Sequence, residues 1–496
     1  MKKLALVLAV VMVLSLGLTA CGGSTSSTGT ASSAPAGSSS SGSASDAAPA
    51  YNPDALQVKA LDDNTLQVTL TARTPYFLEL TAFPAYAPVQ QATVEANGEA
   101  WAVDAATYIG NGPYKIAEWV PSSHITMVKN ENYWNVDSLA GPDTLQFTLM
   151  EDDAAQLTAF QSGELDFIDA VPNDEIDALS STPEFYKEGQ IGTYYVCWNI
   201  NENILPADTE LTGVEAAQAE AEIRRAVALL LDRNYIVTEI AQAGQLPASS
   251  FVAMGMTDAD GSEFYQNAGH NEGFDGYYNV SEDAYMDNWN SAVETLKKYY
   301  AYDEATGMFT NFPTLTYLYN TNENHKTIGE YLQGALAGVG ITMNLVNQEW
   351  NTFLNTRKDG DYNIARNGWV ADYNDPICFL DMWVTASGNN DVQFGKGANA
   401  DLAMYSLDLT PYGYDVKVEN GTWAETYDVL ISSIKSCTDK DARYAMMHIA
   451  EDMLMSTGCL TPLYFYTDIY MLDDSVQGFY SNPLGYKYFM HCTYAE

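Results

Sequence analysis

One short stretch, Ile364–Pro376, brings together the residue types that could bind a charged ligand. It reads IARNGWVADYNDP, beginning as an apolar strand and turning towards Asp372. The strand must end before Pro376, which has no N–H to donate to a ladder. In α/β proteins ligands lie beyond the carboxyl ends of strands, where free backbone groups and a nearby charge can bind an extended molecule. A local turn formed by Asp372 and Asn374, without any ligand, is the alternative interpretation.

The sequence carries none of the motifs that mark common enzyme chemistries. It has no nucleophile elbow, zinc-protease motif, P-loop or dinucleotide-binding glycine pattern. Its five histidines are scattered, which argues against a multi-histidine metal site. The formal net charge of −43 argues against nucleic acid as a partner, because binding phosphates requires clustered Lys and Arg. We therefore expect a binding protein that has no catalytic activity, metal or other cofactor.

The elements before the 364–376 stretch alternate between strand and helix. Strands are predicted at Leu315–Tyr319, Ile341–Val346 and Tyr362–Trp369. A helix with apolar residues at i, i+3, i+4, i+7 and i+8 spacing separates the first two strands, and a helix over Trp350–Lys358 separates the second pair. This β-α-β-α-β order predicts a mostly parallel, doubly wound sheet. It places Asp372 at the carboxyl end of one of the strands.

Other elements are predicted outside this unit, in a chain of 496 residues that can hold two or three domains. Val58–Leu61 and Leu66–Leu70 flank a polar turn and predict a hairpin. A helix is predicted over Asp153–Gln161. A longer helix over Val214–Leu231 is expected to carry Arg224 towards its exposed side.

Residues 1–20 have the pattern of a secretory signal peptide, with two lysines, an apolar run and small residues before Cys21. The ending LTAC resembles a bacterial lipobox, whose cysteine is acylated and becomes the new amino terminus. An ordinary signal peptide that ends near a cysteine is the alternative. Residues 21–50 are rich in Gly, Ser, Ala and Thr and predict a flexible tether. The protein is therefore expected to be lipid-anchored on the outer face of a bacterial cell membrane.

The chain has five cysteines besides Cys21. The number is odd and no pair has C-x-x-C spacing, so we expect at least one unpaired thiol and no zinc or redox motif. The five are Cys197, Cys378, Cys437, Cys459 and Cys492.

Five motifs spread along the chain resemble those of the oligopeptide-binding proteins of ABC importers, extracellular solute-binding protein family 5. They are GNGPYK at 110, KNENYW at 129, SGELD at 162, NQEWNTFLNTR at 347 and GWVADYNDP at 368. The resemblance implies a periplasmic-binding-protein-like fold, with two α/β lobes around a hinge that close over an extended peptide. It also implies a monomer that delivers an oligopeptide to an ABC permease in the membrane.

The same resemblance implies a domain plan. Residues 51–89 correspond to a remnant of a small extra domain, residues 90–191 and 468–496 to lobe I, and residues 192–467 to the larger lobe II. Between the tether and Tyr51 the family normally has the first strands of lobe I and most of the small domain. The first lobe and the small domain are therefore expected to be incomplete.

The resemblance assigns ligand-binding roles to individual residues. Asp372 corresponds to the carboxylate that receives the peptide's α-amino group, and Gly368, Trp369 and Val370 to the strand that pairs with the peptide main chain. Arg366 and His325 correspond to residues that meet ligand carboxylates.

Three residues, Trp350, Arg357 and Trp369, correspond to walls of side-chain pockets. The chain departs from enteric family members at three positions. Gly192 and Val370 stand where those members have a cysteine pair, and Ala241 stands where they have a lysine that helps to bind the ligand carboxylate. That disulfide is therefore absent here.

Two alternatives remain open at this point. The chain could be a non-transporting or truncated surface lipoprotein, such as a sensor or an adhesin. It could also use the same fold to bind another solute, such as an oligosaccharide or a nickel chelate.

Overall fold

The computed structural model describes residues 56–495. The predicted signal peptide, Cys21, the tether and residues 51–55 lie outside the described residues. The chain divides into two compact units, one up to Thr69 and one from Leu70 onward, which are described separately.

The described part of the first unit is a β-hairpin, as predicted. Strands β1 (Val58–Asp62) and β2 (Thr65–Val68) pair antiparallel. The Asp62 carboxylate closes the turn by accepting hydrogen bonds from the N–H of Asn64 (2.9 Å) and the hydroxyl of Thr65 (3.0 Å). Side-chain acceptors of this kind are a common way to stabilise a tight turn.

The second unit contains the remaining helices and strands. Its strands are β3 (Tyr114–Val120), β4 (His124–Lys129), β5 (Thr144–Thr148), β6 (Phe167–Ile168), β7 (Phe185–Trp198), β8 (Leu246–Pro247), β9 (Tyr302–Asp303), β10 (Met308–Phe309), β11 (Leu315–Asn320), β12 (Met343–Gln348), β13 (Ile364–Val370), β14 (Tyr405–Asp408), β15 (Lys417–Gly421), β16 (Leu460–Leu472), β17 (Val476–Gln477), β18 (Tyr480–Ser481), β19 (Lys487–Tyr488) and β20 (Thr493–Tyr494). Its α-helices are α1 (Phe77–Leu80), α2 (Gln91–Asn97), α3 (Asp153–Gln161), α4 (Ile176–Leu179), α5 (Gly213–Leu229), α6 (Arg233–Tyr235), α7 (Tyr285–Leu296), α8 (Glu323–Ala337), α9 (Trp350–Lys358), α10 (Ile377–Leu380), α11 (Val429–Ser436) and α12 (Lys440–Ser456).

The central sheet has the strand order β12-β11-β13-β7-β16-β6, with β8 also paired to β16. The predicted β-α-β-α-β unit is present, because β11 pairs parallel with both β12 and β13. The prediction of a mostly parallel sheet is wrong beyond these three strands, since β7, β16, β6 and β8 pair antiparallel. Alternation of helices and strands fixes direction only within the unit. It carries no information on strands that join the sheet from distant parts of the chain.

Two helices of this unit position residues of the 364–376 region. The boundaries of α9 are the predicted ones. Helix α8 begins after Asn322, whose side chain accepts a hydrogen bond from the N–H of His325 (3.1 Å). This N-cap holds His325 in the first turn of the helix, directly after strand β11.

Strands β7 and β16 extend past the large core that surrounds the central sheet. A smaller core lies near their far ends and includes Leu157, Ile168, Ile176 and Met471. The predicted lobe boundaries near 192 and 467 fall inside these long strands. Close to the second boundary, the pairing register of β16 with β7 shifts between Phe465 and Thr467. The domain plan itself remains a prediction.

A separate antiparallel sheet, β3-β4-β5, lies in the part predicted to be lobe I. Its strands and their flanks expose Val120, Phe147 and Leu149 by 36–41%. By their register through β4, Val120 and Phe147 lie on opposite faces of this sheet and do not form one apolar patch. The predicted incompleteness of the lobe remains a prediction.

Arg224 corrects an expectation, because its side chain is 2% exposed rather than on the outer side of helix α5. It pairs with Glu220 one turn earlier, at 3.3 Å. The segment around Gly458 crosses this face of the helix so closely that a Cβ on Gly458 would lie 2.8 Å from the Arg224 Cβ. The helical pattern predicts an exposed Arg224, but the covering segment and the acidic partner allow its side chain to be buried.

The described cysteines and helices show two further features. All five described cysteines are buried and unpaired. Among residues 56–495, no helix combines the length and the apolar character that crossing a bilayer requires.

The buried carboxyl of Glu451 gives a testable pH dependence. Its Oε1 accepts hydrogen bonds from the N–H groups of Phe251 (3.0 Å) and Val252 (2.7 Å), and burial raises its pKa from 4.5 to about 8. The folded protein therefore keeps a proton that the unfolded chain loses. We expect the stabilisation to be complete below pH 4.5 and to fall as the pH rises towards 8, by up to about 1.4 kcal/mol per pH unit.

Glu451→Gln keeps the carbonyl acceptor and removes this titration. Urea unfolding of both proteins at several pH values between 4.5 and 8 measures the difference in their free energies of unfolding. A difference that does not change with pH would contradict the assignment.

Candidate functional site

One edge of strand β13 is open along most of its length. Strand β7 pairs with β13 from Ile364 to Val370, whereas β11 pairs with it only at Ile364 and Ala365. The N–H of Ala371 donates to the carbonyl of Ile191 just beyond β7's paired register (2.8 Å). Because backbone groups alternate sides along a strand, those of residues 366, 368 and 370 face the open edge.

Some of these edge groups already have partners. The carbonyl of Arg366 accepts a hydrogen bond from Nη1 of Arg357 (3.3 Å), and the N–H of Gly368 donates to Oδ1 of Asn367 (2.8 Å). Within the described residues, the carbonyl of Gly368 and both backbone groups of Val370 have no such partner. These three groups can pair with an added extended chain.

Asp372 lies just past the open edge and is half-buried. Its pKa is raised, first by burial and then by the nearby carboxylate of Asp381. No described cation forms a salt bridge with Asp372, whereas Asp381 pairs with Lys435 at 2.8 Å. A partly desolvated carboxylate without a counterion is suited to bind an ammonium group.

Arg366 lies at the other end of the open edge, in aromatic surroundings. Its guanidinium carbon is 5.4 Å from the centre of the Tyr194 ring, and its Nε is buried without a hydrogen-bond partner. No described carboxylate forms a salt bridge with it. The side chain as a whole is partly exposed, and a partly buried cation without a described counterion is suited to bind an anionic group.

His325 belongs to the same end of the site. Its Nδ1 lies 3.3 Å from the hydroxyl of Tyr194, the residue that also packs against Arg366. Burial, and then the charge of Arg366, lowers the pKa of His325 to about 2. The imidazole is therefore neutral at physiological pH, and Arg366 carries the positive charge.

Two residues of α9 that are predicted to line side-chain pockets differ in their burial. The Trp350 side chain is 46% exposed at the start of α9 and stacks on Phe353, with ring centres 5.9 Å apart. Arg357, on the same helix, is buried, and its Nε lies 2.8 Å from Oδ2 of Asp391. The structure thus places Arg357 at the first residue of the open edge, where its Nη1 donates to the carbonyl of Arg366.

Sequence reasoning missed the residues that hold the turn after β13. Tyr373 stacks on Tyr76 with ring centres 4.9 Å apart, and the N–H of Asn374 donates to the Glu79 carboxylate (2.9 Å). Asp375 forms a buried salt bridge with Arg443 of α12. No motif connects these distant positions, so only the fold reveals that they meet.

The open strand edge has a carboxylate without a described counterion at one end and a guanidinium without one at the other, features that suit an extended solute with two charged ends. The chain belongs to the bacterial extracellular solute-binding proteins, family 5: residues 27–391 match the profile of that family's middle region.

Curated relatives and a solved structure agree with this assignment. The chain is 30% identical over 434 residues to the dipeptide-binding protein DppE of Bacillus subtilis, covering 87% of this chain and 69% of DppE. It is 27% identical over 450 residues to the oligopeptide-binding protein OppA of the same organism, covering 89% of this chain and 71% of the relative.

The crystal structure of Haemophilus influenzae OppA in complex with RPPGFSPFR matches with a TM-score of 0.68 at 26% identity, covering 90% of this chain and 76% of that one. These comparisons confirm the predicted α/β fold of the periplasmic-binding-protein type. They also confirm the role of a substrate-binding protein.

Proposed function

We propose that this solute-binding protein captures short peptides in an extended conformation. The observation that carries the proposal is the open edge of β13, which lies between Arg366 and the carboxylate of Asp372. A peptide running antiparallel to β13 would place its ammonium group at Asp372 and its carboxylate at Arg366. Its main chain would pair with Gly368 and Val370, and such bonds are available to every peptide sequence.

The spacing of the two charged ends supports a ligand of limited length. Arg366 and Asp372 are six positions apart in the sequence. At about 3.3 Å per residue, this corresponds to about 20 Å of extended chain. A peptide of a few residues fits this span. Side-chain contacts are expected from Trp350, Trp369 and the neutral ring of His325, because large rigid surfaces accept varied side chains.

The names of the relatives support the same ligand class, since DppE and OppA are dipeptide- and oligopeptide-binding proteins. We propose that the chain delivers peptides to an ABC permease and performs no chemical step. A neutral oligosaccharide has neither the ammonium nor the carboxylate that the two ends of the site would bind. The geometry therefore favours a peptide over this alternative.

The location of the protein is part of the proposal. The pattern of residues 1–20 supports export, and the LTAC ending supports a lipid on Cys21. A tether over residues 21–50 would then hold the monomeric binding domain at the outer face of the cell membrane.

Calorimetric titration with four forms of one tetrapeptide tests the proposal. The forms have free ends, an acetylated amino end, an amidated carboxyl end, or both modifications. The free peptide is expected to bind most tightly and the doubly modified peptide most weakly, because each modification removes one charge. Equal affinity for all four forms, or no binding of a pool of short peptides, would overturn the proposal.

A further inference from the structure

One of the contacts that hold the turn carrying Asp372 is an ion pair with the protein core. We call residues 371–376 the anchor loop. In this loop Asp375 is 5% exposed, and its two carboxylate oxygens lie 2.8 Å from Nη1 and Nη2 of Arg443. Such a two-point contact fixes both the distance and the orientation of the two groups.

The helix that carries Arg443 is packed into the protein core. Arg443 lies near the start of α12, is 3% exposed, and is followed on the same helix by Met446, Met447 and Ala450, which are fully buried in the large core. Its guanidinium carbon also lies 5.4 Å from the centre of the Tyr76 ring. The ion pair therefore connects the anchor loop to a helix that is packed into the large core.

The same carboxylate organises the backbone after Asp372. Oδ1 of Asp375 accepts a hydrogen bond from the N–H of Ile377 (3.1 Å), at the start of α10. The next residue of that helix, Cys378, accepts a weak hydrogen bond from the N–H of Asp372 to its Sγ (3.1 Å). A chain of contacts thus runs from Arg443 through Asp375 and α10 to the backbone of Asp372.

We propose that Arg443 is a positioning residue for ligand binding: through Asp375 it holds the Asp372 carboxylate where it meets the ligand's ammonium group. The inference rests on the proposed function and adds a residue that touches no ligand. Position matters here because a charge-assisted hydrogen bond is strong only at a short distance and with good alignment.

The test compares a tetrapeptide with free ends with its N-acetylated form, and the ratio of the two dissociation constants measures recognition of the amine. In Arg443→Met the free peptide is expected to bind about 10- to 100-fold more weakly, the loss that follows when a hydrogen bond to a charged group is no longer formed. The N-acetylated peptide should change by less than about threefold, so the ratio should fall towards one. In an Asp372→Asn background the same change should have almost no further effect, because the positioned group is already lost.

Two additional variants keep the test interpretable. Arg443→Met leaves Asp375 buried without a partner, so the double variant Asp375→Asn/Arg443→Met removes both charges if the single variant does not fold. Glu451→Gln is the matched control: it changes a buried residue two turns further along α12 that contacts another segment, and it should leave the ratio unchanged.

A general structural role for the ion pair would weaken both peptides equally. If both Arg443 variants fold and keep the wild-type ratio, the positioning role is overturned while the proposed function stands. If wild-type protein binds neither peptide, the proposed function fails, and this inference fails with it.

Discussion

Asp372→Asn is expected to weaken the binding of a peptide with a free α-amino group by about 10- to 100-fold, since a hydrogen bond to a charged group contributes ~1.5–3 kcal/mol. The variant keeps the size of the side chain and one acceptor oxygen but removes the charge. An N-acetylated peptide lacks the ammonium group and should lose little affinity. Calorimetric titration of both peptides against both proteins measures the difference.

The pH dependence of binding adds a second measurement of the same carboxylate. Burial and Asp381 raise its pKa in the free protein, whereas a bound ammonium favours the charged form and lowers the pKa. Affinity for the free peptide should therefore fall as the pH drops through the raised pKa of the free protein. The Asp372→Asn protein should lack this part of the pH dependence.

Asp361→Asn is a suitable control for Asp372→Asn. Asp361 is exposed and lies just before strand β13, away from the anchor loop. Its replacement should change neither the affinity nor its pH dependence. If Asp372→Asn binds the free peptide as tightly as the wild type does, Asp372 does not bind the amine.

Local pattern was sufficient to predict the unit that carries the site. The alternation of strand and helix patterns predicted the bounds of α9 and a strand over Tyr362–Trp369, which the structure has at Ile364–Val370. Asp372 was then predicted to bind a ligand because it directly follows a strand. The roles of Arg366 and His325 were implied by the resemblance to the family, and the structure places both beside Tyr194.

The rest of the site depends on contacts between distant segments, which no local pattern encodes. Asp375 and Arg443 are 68 positions apart, and Asn374 and Glu79 are 295 positions apart. Arg224 shows the same limit, since a helical pattern places a residue on a face but cannot show which segment later covers it. Strand direction also escaped prediction, because β7 and β16 join the sheet from outside the alternating unit.

Arg366→Met is expected to weaken a peptide with a free carboxylate by at least about 30-fold, equivalent to ~2 kcal/mol, the lower range for losing one partner of a buried charge pair. An amidated peptide should lose little affinity, because it has no carboxylate to pair. The free protein should become more stable to unfolding, since the substitution removes a desolvated cation that has no described counterion. The pKa of His325 should rise, because the charge of Arg366 is one of the two causes that lower it.

Arg357→Met is the matched comparison, because the same substitution on the neighbouring helix should have the opposite effect on stability. Arg357 pairs with buried Asp391 and donates to the carbonyl of Arg366, so its loss leaves an uncompensated buried carboxylate and costs about 3–5 kcal/mol. Urea unfolding of the two variants without ligand measures whether each substitution raises or lowers the free energy of unfolding. Titration with free and amidated peptides measures their binding. If Arg366→Met destabilises the protein as much as Arg357→Met does, then Arg366 supports the fold in the same way that Arg357 does. If only Arg357→Met destabilises the protein, Arg366 is the cation whose counterion is supplied by a ligand.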